Sequence, residues 1–103
     1  LQKIRPGKLR IVCGFSPDKP YREMYESLKR LSPEILLTQV TRLADKMPAD
    51  YRTLGEFEPS PAVATERMLD GLKSDETLLV TGSLYLCGEV RGRWSREVSF
   101  LSE

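Results

Sequence analysis

Apolar residues along this chain fall into two alternating spacings, short continuous runs and runs with helical steps. Leu9-Arg-Ile-Val-Cys13 is a compact apolar stretch that predicts a first strand. Beyond the loop Gly14 to Pro20, apolar residues recur at steps of three and four: Tyr21, Met24, Tyr25, Leu28 and Leu31. That spacing predicts a helix from about Tyr21 to Leu31 with one buried stripe, whose aromatics belong to a core. Ser32-Pro33 stops it. Glu34 to Val40 is again a near-continuous apolar run, the pattern of a strand covered on both faces.

The middle of the chain is less regular. Asp45, Met47-Pro48 and Asp50 predict loop between Thr41 and Gly55, with one helical turn over Ala49 to Leu54 and a short edge strand at Phe57-Glu58. Ser60-Pro61 marks a helix start, serine as N-cap and proline at the first helical position. The helix is expected to reach about Lys73 and to bury Met68, Leu69 and Leu72. Thr77 to Thr81 is a third strand. Gly82-Ser83 breaks it, and Leu84 to Arg91 resumes helical spacing with Leu86, Cys87, Val90 and Trp94 inward. Glu89 and Arg93 are spaced as an i,i+4 ion pair. A further strand is expected at Glu97 to Leu101. There is no internal repeat.

Strands alternating with helices predict an α/β fold: a Rossmann-like, three-layer domain with a mostly parallel sheet and right-handed crossovers. The 103 residues suffice for one domain, residues 1–103, with a single modest core. Sixteen basic residues balance fifteen acidic ones, for a net charge of +1, so bulk attraction to nucleic acid or to a membrane surface is not expected. No apolar run approaches the roughly 20 residues that span a bilayer. Leu1 to Leu9 is too basic, and too broken by Pro6-Gly7, for a signal peptide. Cys13 and Cys87 sit among apolar neighbours and read as reduced core residues of a cytosolic protein. The chain has no histidine, which removes histidine bases, triads and metal ligands together.

In parallel α/β sheets, ligands gather at the carboxyl ends of the strands. Three loops are expected there. One follows the first strand and carries Ser16, Asp18 and Lys19, with Pro17 and Pro20 restricting it. Such restriction lowers the cost of fixing the lysine ammonium on a ligand. A second, after the second strand, carries Thr41, Arg42 and Asp45. The third is Gly82-Ser83, where glycine permits a tight turn and serine caps a helix whose first N–H groups point at an anion. On the residues alone, an ordinary capped junction and a solvated surface lysine are the simpler readings.

The wording of the chain is more specific than its pattern. Leu79-Val-Thr-Gly-Ser-Leu-Tyr-Leu-Cys-Gly-Glu-Val-Arg91 closely resembles the last strand–helix segment of folylpolyglutamate and dihydrofolate synthases, ATP-dependent amide ligases of the Mur ligase superfamily. Gly14-Phe-Ser-Pro-Asp-Lys19 resembles the Gly-…-Asp-Lys loop after the second strand of their C-terminal domain. Ile35-Leu-Leu-Thr38, Pro61 to Leu72 and Asp75 to Arg91 follow in the family's order, so the resemblance covers essentially the whole chain.

The resemblance implies a cytoplasmic enzyme of folate biosynthesis and one-carbon metabolism. ATP phosphorylates a carboxylate of the folate or dihydropteroate substrate, and the amino group of L-glutamate attacks the acyl phosphate. By position, Lys19 and Ser83, with Gly82, match the family's binders of the glutamate carboxylate; Asp18, Thr41 and Arg42 are secondary candidates. No catalytic residue and no metal ligand is implied in this chain. ATP and Mg2+ belong mainly to the ligase's central domain. This sequence also departs from the family, because the Asp-Gly-Ala-His-Asn-Pro run and the phosphate-binding loop are absent. The resemblance thus implies a C-terminal domain lacking its first strand–helix unit, with Leu1 to Arg5 as the end of that helix, inactive on its own. The alternative is a free-standing α/β binding or regulatory module without catalysis.

Overall fold

Four strands form one sheet in the order β2-β1-β3-β4, and every neighbouring pair is parallel. The computed structural model describes residues 9–83, 86–88, 90–91 and 99–102. The elements are β1 (Leu9–Gly14), α1 (Tyr21–Leu31), β2 (Ile35–Leu37), two 3-10 turns (Thr41–Lys46 and Ala49–Thr53), α2 (Pro61–Leu69), β3 (Thr77–Gly82), the helical residues 86–88 and 90–91 (α3), and β4 (Ser99–Ser102). The expected end of a helix at Leu1 to Arg5, the Glu89–Arg93 pair and Trp94 lie outside the described residues.

β1, β2 and β3 are largely apolar because both faces of the sheet are covered there. Leu9, Ile11, Cys13, Ile35, Leu37 and Leu79 pack on one face with Tyr25 of α1 and Tyr51. Val12, Leu36, Leu78 and Val80 pack on the other with Ala64 of α2 and Leu86, Cys87 and Val90 of α3. The register accounts for this sorting, since Ile11 lies opposite Ile35 and Leu79 while Val12 lies opposite Leu36 and Val80. The connection from β1 to β2 runs one way along the sheet and that from β2 to β3 runs the other. Crossovers of one hand then put α1 and α2 on opposite faces. The result is a three-layer, Rossmann-like α/β fold.

Several element ends differ from the sequence expectation, each for a specific physical reason. α2 ends at Leu69 rather than near Lys73, because Gly71 takes a left-handed conformation (φ 78°) just past the helix. Arg10, projecting from β1, donates to the carbonyls of Met68 and Asp70 at 2.9 and 3.0 Å, placing a cation on the negative end of that helix. Ser60 caps the other end by accepting from the Val63 N–H at 3.3 Å, as its sequence predicts. Leu31, expected in the buried stripe of α1, is 47% exposed. It is the last helical residue, and its neighbour Ser32 turns inward instead, donating to the Leu9 carbonyl at 2.5 Å. Residues Thr41–Lys46, read from sequence as loop, form a 3-10 turn. The expected edge strand at Phe57-Glu58 is one bridge residue, Phe57, opposite Leu37. The described part of the last strand is Ser99–Ser102, and residues 97–98 of the expected strand lie outside the described residues.

Cys13 and Cys87 are buried thiols outside any disulfide, and they belong to the two clusters on opposite faces of the sheet. Burial pushes the Cys13 thiol far above its ordinary titration range, which suppresses the reactive thiolate. Both thiols are expected to stay silent toward an aromatic disulfide reagent in the native chain and to react together once denaturant is added. Rapid modification of either one before unfolding would contradict this packing.

Among the described residues, no helix is long and apolar enough to cross a membrane.

Candidate functional site

The sheet order places β1 and β3 side by side while their chain connections leave in opposite directions. In open α/β sheets, a crevice forms outside the carboxyl ends of two such strands, where the order reverses. Here those ends are Gly14 and Gly82, which are direct neighbours in the register. The loop carrying Lys19 leaves from the first, and Ser83 follows the second.

At Gly82 the backbone turns with φ 118°, a conformation that residues with a Cβ rarely adopt. A Cβ there would sit 2.1 Å from the Gly14 carbonyl oxygen. The reason for that closeness is the next residue, since the Ser83 N–H donates to the same Gly14 oxygen at 2.7 Å. Ser83 is itself buried, 8% exposed, and its carbonyl accepts from the Cys87 N–H at 3.1 Å, so it occupies the N-cap of α3 as the sequence predicts. Its backbone is therefore fully engaged in the fold.

The Lys19 loop is built from two successive turns. The Lys19 N–H donates to the Ser16 carbonyl at 3.2 Å, closing a β-turn with Pro17 and Asp18 at its centre. The Tyr21 N–H then donates back to the Lys19 carbonyl at 2.7 Å across Pro20, whose φ of −75° and ψ of 68° are those of an inverse γ-turn. Asp18 and Lys19 are exposed at the tip. The two prolines thus fix the loop by setting the backbone of both turns.

Thr41 and Arg42 open the 3-10 turn beyond β2 and are exposed. They follow the strand on the far side of β1 from Ser83. The structure groups the Lys19 loop and the Gly82-Ser83 turn at adjoining strand ends and sets Thr41 and Arg42 one strand away. Asp45 lies in the same turn, exposed.

β2 was expected to run to Val40 but pairs only to Leu37, and the cause is Tyr51, a residue the sequence reading passed over. The Thr38 N–H still donates to the Cys13 carbonyl at 2.7 Å, as a parallel ladder requires. The next rung would join the Phe15 N–H to the Thr38 carbonyl. Instead, the Tyr51 hydroxyl sits between them, accepting from the Phe15 N–H at 3.0 Å and donating to the Thr38 carbonyl at 2.5 Å. The hydroxyl parts β1 from β2 at the carboxyl edge and satisfies both backbone groups. Residues 38–40 remain buried without being strand. Thr38 Oγ1 and Gln39 Oε1 are buried there without a hydrogen-bond partner among the described residues.

Beside Tyr51, Asp50 accepts from the Tyr21 hydroxyl and from the Arg22 guanidinium, both at 2.9 Å. The Tyr21 hydrogen bond and then Arg22 hold the Asp50 carboxyl below its ordinary range. The only sequence signal for this pair was a tyrosine in a polar turn without hydrophobic periodicity.

Among the described residues, no group of three or more His, Cys, Asp or Glu side chains could hold a metal ion. No protein-family model, no curated protein and no solved structure matches this chain.

Proposed function

We propose that this chain supplies the glutamate-binding side of an ATP-dependent amide ligase of the folylpolyglutamate/dihydrofolate synthase kind, working in the cytoplasm. The observation that carries the reading is the junction of β1 and β3. The two loops whose residues resemble that family's amino-acid binders leave adjoining strand ends, Gly14 and Gly82, at the point where the sheet order reverses.

On this reading, Lys19 presents an ammonium, a compact charge with three donors, to a carboxylate of L-glutamate. Ser83 adds a hydroxyl from the neighbouring turn, and Gly82 allows that turn to lie flat against Gly14. Asp18, Thr41 and Arg42 form the periphery of the site. The chain's part is to bind and orient the amino acid so that its amino group reaches an activated carboxylate. ATP supplies that activation by phosphorylating the folate or dihydropteroate carboxylate. The residues described here do not fit a nucleotide–magnesium site, since they offer neither a phosphate-cradling glycine loop with its lysine nor a cluster of carboxylates. On this proposal ATP and Mg2+ are held elsewhere in the enzyme, and the isolated chain neither hydrolyses ATP nor ligates.

In the complete ligase, Lys19→Met and Ser83→Ala should each raise the KM for glutamate roughly tenfold, the factor that about 1.4 kcal/mol of lost contact gives. The KM for ATP should hardly move. An unchanged glutamate KM in both variants would reject the site.

A further inference from the structure

The 3-10 turn Ala49–Thr53 grips the Lys19 loop at both of its ends. At the start of the loop, the buried Tyr51 hydroxyl accepts from the Phe15 N–H at 3.0 Å. At its end, Asp50 accepts from the Tyr21 hydroxyl and from Arg22, both at 2.9 Å. The Tyr21 ring also meets Tyr51 edge-on, with centroids 5.2 Å apart. Between these anchors lie only Ser16 to Pro20, and their backbone already folds into two proline-set turns. Few conformations remain for a short segment fixed at both ends.

We infer that Asp50 and Tyr51 are positioning residues for ligand binding, holding the loop so that the Lys19 ammonium is preorganised for a carboxylate. This rests on the reading of Lys19 as a glutamate binder. A loop ordered before the ligand arrives loses less conformational freedom on binding, which appears directly as affinity. Neither residue is placed to touch the ligand itself. Tyr51 is 0% exposed, and Asp50 is committed to Tyr21 and Arg22.

The arrangement separates positioning from folding. The Arg22–Asp50 pair is solvent-exposed, 58% and 51% at its two side chains, and exposed ion pairs contribute little to stability. Asp50→Asn therefore loosens one end of the loop while leaving the fold in place. Tyr21→Phe keeps the ring against Tyr51 and removes the same contact from the other side.

The experiment uses the 103-residue chain, labelled with nitrogen-15, and its Asp50→Asn, Tyr21→Phe and Lys19→Met variants. L-glutamate is titrated to its solubility limit against sodium chloride of equal ionic strength. Backbone order of Ser16, Asp18 and Lys19, the glutamate dissociation constant from shift changes, and the thermal midpoint are read on the same samples. Asp50→Asn and Tyr21→Phe should each lower the order of the loop and weaken glutamate binding roughly threefold or more. Their thermal midpoints should stay close to that of the parent chain. Lys19→Met should lose binding with the loop order intact. Unchanged loop order in Asp50→Asn, or unchanged affinity despite a loosened loop, would overturn the inference while leaving Lys19 as the binder. If the parent chain fails to bind glutamate, or Lys19→Met binds as well as the parent, the assignment of the site falls and the positioning role falls with it.

Discussion

Gly82→Ala should destabilise the chain by about 4 kcal/mol, combining backbone strain with a forced displacement of the neighbouring strand. The strain arises because φ at Gly82 is 118°. The displacement arises because the new methyl would lie 2.1 Å from the Gly14 carbonyl oxygen and 3.1 Å from Cδ1 of Phe15. Gly14 cannot retreat easily, since its oxygen also accepts from the Ser83 N–H and its strand is paired on both sides. Domains of this size are stable by only about 5–15 kcal/mol, so a substantial part of a thin margin is at risk. The thermal midpoint should fall by roughly 15–30 °C. Gly71→Ala provides the control. Gly71 also has a positive φ, 78°, but, its chain neighbours aside, nothing among the described residues lies within 4 Å of the added methyl. That variant should lose only about 1–2 kcal/mol, the left-handed penalty alone. Equal losses from the two substitutions would show that β1 and β3 do not approach closely at the proposed site.

The fold was legible wherever hydrophobic spacing was dictated by burial. Both helices with a clean stripe and all three predicted parallel strands are present because each must bury one face or two. Element ends were less legible, because they are decided by contacts distant in sequence. β2 stops at Leu37 on account of a hydroxyl 14 residues further on, at Tyr51. α2 stops at Leu69 partly on account of Arg10, 60 residues before Asp70. No local propensity encodes either event. Gly71 was the one local sign of the second, and a glycine just after Met68-Leu69-Asp70 is ambiguous until its φ is seen.

The proposed site divides in the same way. Glycine and serine after a buried strand, and lysine between two prolines, carry their geometry in their own chemistry. Their positions at adjoining strand ends follow from the sheet order, which alternation alone does not determine. Three parallel strands admit several orders, and only one with β1 beside β3 brings these loops together. Tyr51 and Asp50 were invisible because 3-10 turns impose no long period, so a core tyrosine within one reads as a surface aromatic.

Tyr51→Phe should cost about 3 kcal/mol, close to the loss expected at Gly82, although it removes a single oxygen atom. The phenyl ring keeps the edge-on contacts with Tyr21 and Phe57, at 5.2 and 6.1 Å. What it loses are a buried acceptor for the Phe15 N–H and a buried donor to the Thr38 carbonyl. Phe15 and Thr38 are 1% and 0% exposed, so water does not replace the hydroxyl. The ring still stands between the two backbone groups and keeps them from closing into the missing rung. Each group left unsatisfied costs on the order of 1–3 kcal/mol. The effect should also depend on pH in a direction fixed by linkage. Burial raises the Tyr51 hydroxyl above the ordinary tyrosine value of 10.0, so the folded chain holds this proton more tightly than the unfolded one. Its contribution is complete below pH 10 and declines as pH rises further, because the unfolded chain ionises first. Denaturant unfolding of the parent chain should therefore weaken steeply above pH 10. Tyr51→Phe should show a shallower decline, retaining the part due to Tyr21, Tyr25 and the Cys13 thiol, which burial also raises. The difference between parent and variant should be constant at neutral pH and shrink in alkali. A difference that grew with alkalinity, or a variant as stable as the parent at neutral pH, would mean that the hydroxyl does not bridge the two strands.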